Sequence, residues 1–129
     1  MNENVLRAGL LSTARSMGTS GLNAGTAGNA SVRCNQGFLI TPSGIPYDDC
    51  DEASMALMTM SGSWQGPFAP SSEWRIHRDI LAAHPEAGAV LHAHSPYATA
   101  LACLRRPIPA FDYMIARFGG HDIRCAPYA

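Results

Sequence analysis

A histidine, one alanine and a second histidine occupy positions 92–94, directly after Gly88-Ala-Val-Leu91 and directly before Ser95-Pro96-Tyr97. The four residues ahead of the pair are small or apolar and carry no helical stripe, which predicts a short buried strand running into the histidines. Side chains two apart on a strand point the same way. His92 and His94 are therefore expected to converge on one point, as two imidazole ligands of one metal must. A catalytic metal usually has three protein ligands and an open position. The best third candidate upstream is Glu73, in Ala69-Pro-Ser-Ser-Glu-Trp74.

A chain of 129 residues with 47% apolar and 15% charged content suits one well-buried soluble domain. A formal charge of −1 gives no electrostatic reason to expect nucleic acid or an anionic membrane as partner. No apolar run approaches the roughly 18 residues of a membrane span. Met1-Asn-Glu-Asn4 lacks the basic start of a signal peptide, so the expected location is the cytoplasm. Cys34, Cys50, Cys103 and Cys125 form no CxxC pair and are expected to be reduced, mostly buried small residues. All nine basic residues are arginine. Without lysine this chain offers no Schiff base and no P-loop, so carbanion chemistry here needs a metal or another electron sink.

Along the chain, residues 2–19 predict an amphipathic packing helix through Val5, Leu6, Gly9, Leu10, Thr13 and Met17. Residues 20–29 form a glycine-rich loop, a plain turn taken alone, though successive N–H groups in such loops also hold anions. Residues 30–34 and 37–42 flank Asn35-Gln36 and predict a hairpin. Thr41-Pro-Ser-Gly-Ile-Pro-Tyr47 then leaves the strand, with N–H groups near Ser43 and Gly44 outside any assignable ladder. The acidic run 48–52 predicts a solvated loop. Met55–Met60 predicts a strand and a turn at Ser61-Gly-Ser63, with core-filling methionines. A helix is expected from the serines at 71 and 72 to about His84, where Pro85 follows. Trp74, His77, Ile80, Leu81 and His84 would share its packed face, with Glu73 complementing its dipole. Its start is also suited to an anion. Ser95-Pro96 predicts a cap and first position of a helix over 97–104. Tyr113 follows in an apolar stretch, and residues 121–129 read as a strand and loop.

Three anion-suited backbone segments, a Ser-Ser-Glu and a His-x-His thus share one small domain. Gly25–Arg33, Leu39–Pro46, Pro70–Arg75, His92–His94 and Tyr113–Ala116, in that order and spacing, resemble the class II aldolase/adducin family. The resemblance implies a three-layer α/β/α domain with a mostly antiparallel central sheet. It implies a zinc-dependent lyase, usually a homotetramer, that cleaves a ketose 1-phosphate such as L-fuculose 1-phosphate to dihydroxyacetone phosphate and an aldehyde. By the same resemblance Gly28, Asn29, Ser43, Gly44, Ser71 and Ser72 hold the substrate phosphate, and Glu73, His92 and His94 bind zinc. Manganese or cobalt would suit the same donors. Glu73 then serves as acid/base, and Tyr113 reaches a neighbouring subunit's site to protonate or orient the aldehyde-side hydroxyl.

The family's third zinc histidine lies in a later His-His-Gly type segment, which these residues do not include. The expectation is a C-terminally truncated domain that binds zinc poorly and is nearly inactive alone, with His121 no substitute. Related outcomes of the same chemistry are a sugar-phosphate 4-epimerase and a methylthioribulose-1-phosphate dehydratase. The other class is an inactive, adducin-like assembly domain, which the retained Glu73, His92 and His94 argue against.

Overall fold

The computed structural model describes residues 2–127; Tyr128 and Ala129, the end of the expected final loop, lie outside the described residues. The chain divides into two compact units after Ala93.

The first unit is built on the Phe38-Leu39-Ile40 run. All three side chains are buried although strand alternation sends neighbours to opposite faces, so both faces of this strand must be covered. They are. Helix α1 (Glu3–Thr19) supplies Leu10, Leu11 and Met17 to a core with Leu39, Ala30 and Met55. Helix α2 (Trp74–Ala83) supplies Leu81 to a second core with Phe38, Ile40, Met58 and Val90. Between the helices lie β1 (Asn29–Cys34), β2 (Gly37–Ile40), β3 (Ala56–Met58), β4 (Trp64–Gln65) and β5 (Ala89–His92). They pair antiparallel in the order β4-β3-β2-β1-β5. This is the expected α/β/α layering. The Asn35-Gln36 hairpin is present, with Cys34 opposite Gly37.

Several local expectations need correction. The buried stripe of α1 is Leu10, Leu11, Ala14 and Met17, and Val5 is exposed. The second helix begins three residues after Ser71, and neither serine caps it; Glu73 takes the cap position without a side-chain cap bond. Ser71 instead pairs its N–H with the Thr41 carbonyl, which holds the 69–71 segment beside residues 41–43. Only His77 and Leu81 of the expected α2 face are buried; Ile80 and His84 are exposed. Strand β5, at the edge of the sheet, is half-buried rather than buried, with Val90 inward and Ala89 and Leu91 exposed on the opposite face. The acidic run folds into two 3-10 turns, Tyr47–Asp49 and Glu52–Ser54, the second closed by a reciprocal Asp51–Ser54 capping box. Of the cysteines, all free, only Cys50 is buried.

The second unit carries α3 (Pro96–Cys103), with Ser95 before it and Pro96 at its first position as expected. Ile108 and Ile123 form a reciprocal bridge, both N–H···O distances being 2.9 Å. The 3-10 segment Tyr113–Phe118 starts at Asp112, whose carboxylate accepts from the Met114 N–H at 2.8 Å, and stops at Gly119. No helix among the described residues is long and apolar enough to cross a membrane.

Candidate active site

The site grows from two periodicities meeting face to face. Asn29, Ser31 and Arg33 alternate along β1 and share its α2-facing side. Glu73 and His77, four apart, share one side of α2. His77 stands between the strand side chains: Nδ1 pairs with Ser31 Oγ at 2.8 Å and Nε2 with Asn29 Oδ1. The Asn29 amide donates onward to Glu73 Oε2 at 2.7 Å. Arg33 completes the row by donating to the Leu81, His84 and Ala87 carbonyls, where its charge suits the helix C-terminus.

Register brings in the histidine. Asn29 lies directly opposite His92 across the β1–β5 pair, so both side chains leave the same face of the sheet. His92 Nδ1 comes within 2.9 Å of Glu73 Oε2. The division between the two units falls inside the His-Ala-His motif, between Ala93 and His94. One donor atom from each of Glu73, His92 and His94 lies within 4.8 Å of the others. The convergence expected from strand alternation is present, although the strand itself ends at His92.

Two imidazoles and a carboxylate are a donor set that zinc enzymes use. Tetrahedral donors around zinc stand about 3.4 Å apart, given bonds of roughly 2.0–2.2 Å. With Glu73 and His92 2.9 Å apart and all three donors within 4.8 Å of one another, the set suits a divalent metal ion.

The remaining expected residues are placed as follows. Ser71 is buried, and its Oγ accepts from the Glu73 N–H at 3.3 Å. Ser72 is exposed. Ser43 and Gly44 are also exposed, on a loop pinned to the serine segment by the Pro42–Pro70 bridge. The Ser43 N–H, expected to lie outside any ladder, donates to the Ala69 carbonyl at 2.9 Å. Gly28 is buried, and its carbonyl accepts from the Tyr47 hydroxyl at 2.8 Å. Its φ of 77° and the Asn23 side chain, 2.2 Å from where a Cβ would stand, require glycine. Tyr113 belongs to the second unit and is 83% exposed.

Two residues escaped the sequence reading. His77 was expected only to pack, and Ser31 carried no expected role. The signal was available: Ser31 is two beyond Asn29 on a strand, and His77 four beyond Glu73 on a helix. Burial pushes the His77 imidazole down to about 4, helped by the neighbouring charge of His92 and opposed by Glu73. It is therefore neutral at pH 7.

Residues 8–129 match the family described as Class II Aldolase and Adducin N-terminal domain. The chain belongs to the class II aldolase/adducin family. It is 56% identical over 124 residues to a 5-methylthioribulose-1-phosphate/5-deoxyribulose-1-phosphate aldolase of Rhodospirillum rubrum, covering 96% of this chain and 56% of that protein. It is 46% identical to the L-fuculose phosphate aldolase of Escherichia coli K12, across 100% of this chain and 60% of the relative. A solved L-fuculose 1-phosphate aldolase superposes with a TM-score of 0.89 at 39% identity, over 96% of this chain and 59% of that one. The chain thus spans under two thirds of the length of these class II relatives.

Proposed function

We propose that this chain serves the retro-aldol cleavage of a ketose 1-phosphate, with zinc held by Glu73, His92 and His94. One observation carries the reading: the Glu73 carboxylate sits 2.9 Å from the His92 imidazole, inside a three-donor cluster with His94. The aldolase names of its relatives support it, and so does the absence of lysine, which leaves this chain no Schiff-base route. The substrate class we infer is a 1-phosphorylated ketose with a deoxygenated far end. L-fuculose 1-phosphate and 5-methylthioribulose 1-phosphate both fit that description.

Breaking the bond between C3 and C4 would push its electron pair toward the C2 carbonyl while Glu73, as a carboxylate released from the ion, takes the proton of the C4 hydroxyl. The ion, when bound, supplies Lewis-acid stabilisation of the negative charge on the substrate oxygens. Glu73 is the residue to return a proton to C3, which completes dihydroxyacetone phosphate. Tyr113 of the partner subunit would contact the C4 oxygen in a homo-oligomer. Backbone and hydroxyl groups of Gly28, Ser43, Gly44, Ser71 and Ser72 would fix the phosphate, and thereby the reacting carbons. The Asn29 amide has two N–H donors, one directed at Glu73; the second is the one a phosphate would take.

Product analysis tests the reading. The purified protein is offered L-fuculose 1-phosphate, 5-methylthioribulose 1-phosphate and ribulose 5-phosphate, and dihydroxyacetone phosphate is measured with a reductase coupled to NADH. Expected is release from one of the 1-phosphates, slow for this chain by itself, that EDTA abolishes and zinc restores. Metal-dependent turnover of ribulose 5-phosphate to its epimer, with no triose released, would replace the aldolase reading by the 4-epimerase.

A further inference from the structure

We infer that Ser31, His77 and Asn29 form a fixed relay of hydrogen bonds that aims the Glu73 carboxylate, making His77 a positioning residue of the site. The inference rests on the reading above, in which Glu73 holds the metal and then moves a proton.

The direction of each bond follows from its neighbours. A carboxylate only accepts, so the Asn29 amide presents its N–H side to Glu73. That turns Oδ1 of Asn29 toward His77, and a carbonyl oxygen also only accepts. The His77 proton must therefore sit on Nε2, which leaves Nδ1 as the acceptor for the Ser31 hydroxyl. Donors run one way from Ser31 to Glu73, and neither His77 nor Asn29 can be turned around without breaking two bonds.

Nothing in the helix itself orients Glu73. It stands at the cap position of α2, where its side chain makes no cap bond. Its carboxylate is placed by what it meets, namely the Asn29 amide and the His92 ring. Asn29, Ser31 and His77 are at most 5% exposed. Burying three polar side chains is costly unless each is satisfied, and an apolar residue at 77 would fill the same space between β1 and α2 more cheaply. A histidine that only packs needs no partner chain leading to a carboxylate. Groups that orient a metal ligand from behind are commonly worth 10- to 100-fold in metal affinity.

The test compares His77→Leu with His77→Gln, since glutamine keeps an N–H for Asn29 and an acceptor for Ser31. Cobalt(II) is the probe, read by its visible absorption, alongside the Asn29 side-chain amide protons by NMR and thermal unfolding. Expected is a roughly 10- to 100-fold loss of cobalt affinity in H77L, with H77Q within about threefold of wild type. The Asn29 amide proton should be slow to exchange in wild type and H77Q, and fast in H77L. Cobalt affinity and amide exchange unchanged in a folded H77L would overturn the relay. If H77L does not fold, Ser31→Ala removes one donor at little change of volume. Faster Asn29 exchange in S31A supports the relay, and unchanged exchange overturns it. If wild type binds no cobalt, the metal reading fails by itself and the Asn29 exchange alone decides the relay, in the same senses.

Discussion

Asn29 and His92 are cross-strand partners, and both reach the same oxygen of Glu73, at 2.7 and 2.9 Å. One register decision between two strands therefore sets both the amide and the imidazole that meet the Glu73 carboxylate. A shift of β5 by one residue would send His92 to the opposite face and dissolve the cluster.

Removing any one of the three donors should weaken zinc binding. For Glu73→Gln, His92→Ala and His94→Ala, calorimetric titration is expected to show a loss of at least about tenfold in each case, since two remaining donors make an incomplete site. Binding as tight as wild type in any of them would strike that residue from the ligand set.

Acid should loosen the first unit through His77. Its folded pKa, about 4, lies below the ordinary 6.5, so the unfolded chain takes up the proton first as pH falls. The stabilisation is complete above about pH 6.5 and is lost progressively toward pH 4, at a limiting slope of about 1.4 kcal/mol per pH unit. Glu73 and His92 face the same group, so the comparison needed is H77Q. Urea unfolding across pH 4–7 should show a flatter profile in that variant, and parallel profiles would remove His77 as the source.

Arg33 clamps the far end of α2. Its guanidinium spreads over the Leu81, His84 and Ala87 carbonyls at 2.6, 3.1 and 2.9 Å. Arg33→Ala should cost about 2 kcal/mol in urea unfolding, given bonds from a charged group that is partly exposed. Arg33→Lys should recover less than half of that, because an ammonium cannot span three acceptors as a planar fork does. Full recovery by lysine would reduce the effect to charge alone.

Gly37 closes the hairpin with a φ of 142°, and a Cβ there would stand 2.1 Å from the Met58 carbonyl oxygen. Gly37→Ala combines a backbone conformation alanine resists with a clash against a central strand pair. We expect a loss of about 2 kcal/mol or more by thermal or urea unfolding. An unchanged midpoint would mean that β2 and β3 can separate locally at no cost.

Much of this molecule is written in local pattern. The Asn35-Gln36 turn between two apolar runs is enough for a hairpin, and Pro85 and Pro96 bound helices because proline cannot donate inside them. The order and spacing of five segments, Gly25–Arg33, Leu39–Pro46, Pro70–Arg75, His92–His94 and Tyr113–Ala116, were enough to point to the family, and the spacing of His92 and His94 to their convergence. Tertiary structure decided what those patterns leave open. The serines at 71 and 72 looked like helix caps, yet Ser71 is drawn into a bridge with residues 41–43, and α2 starts later. His77 looked like packing because a helical stripe says which residues are inside but not what they meet there. Its partners, Ser31 and Asn29, lie 46 and 48 residues away in the chain. Side-chain periods of 2 and 3.6 are properties of each element alone. The relative phase of strand and helix is fixed only when their faces pack, and that phase turns a buried histidine into the support of a carboxylate.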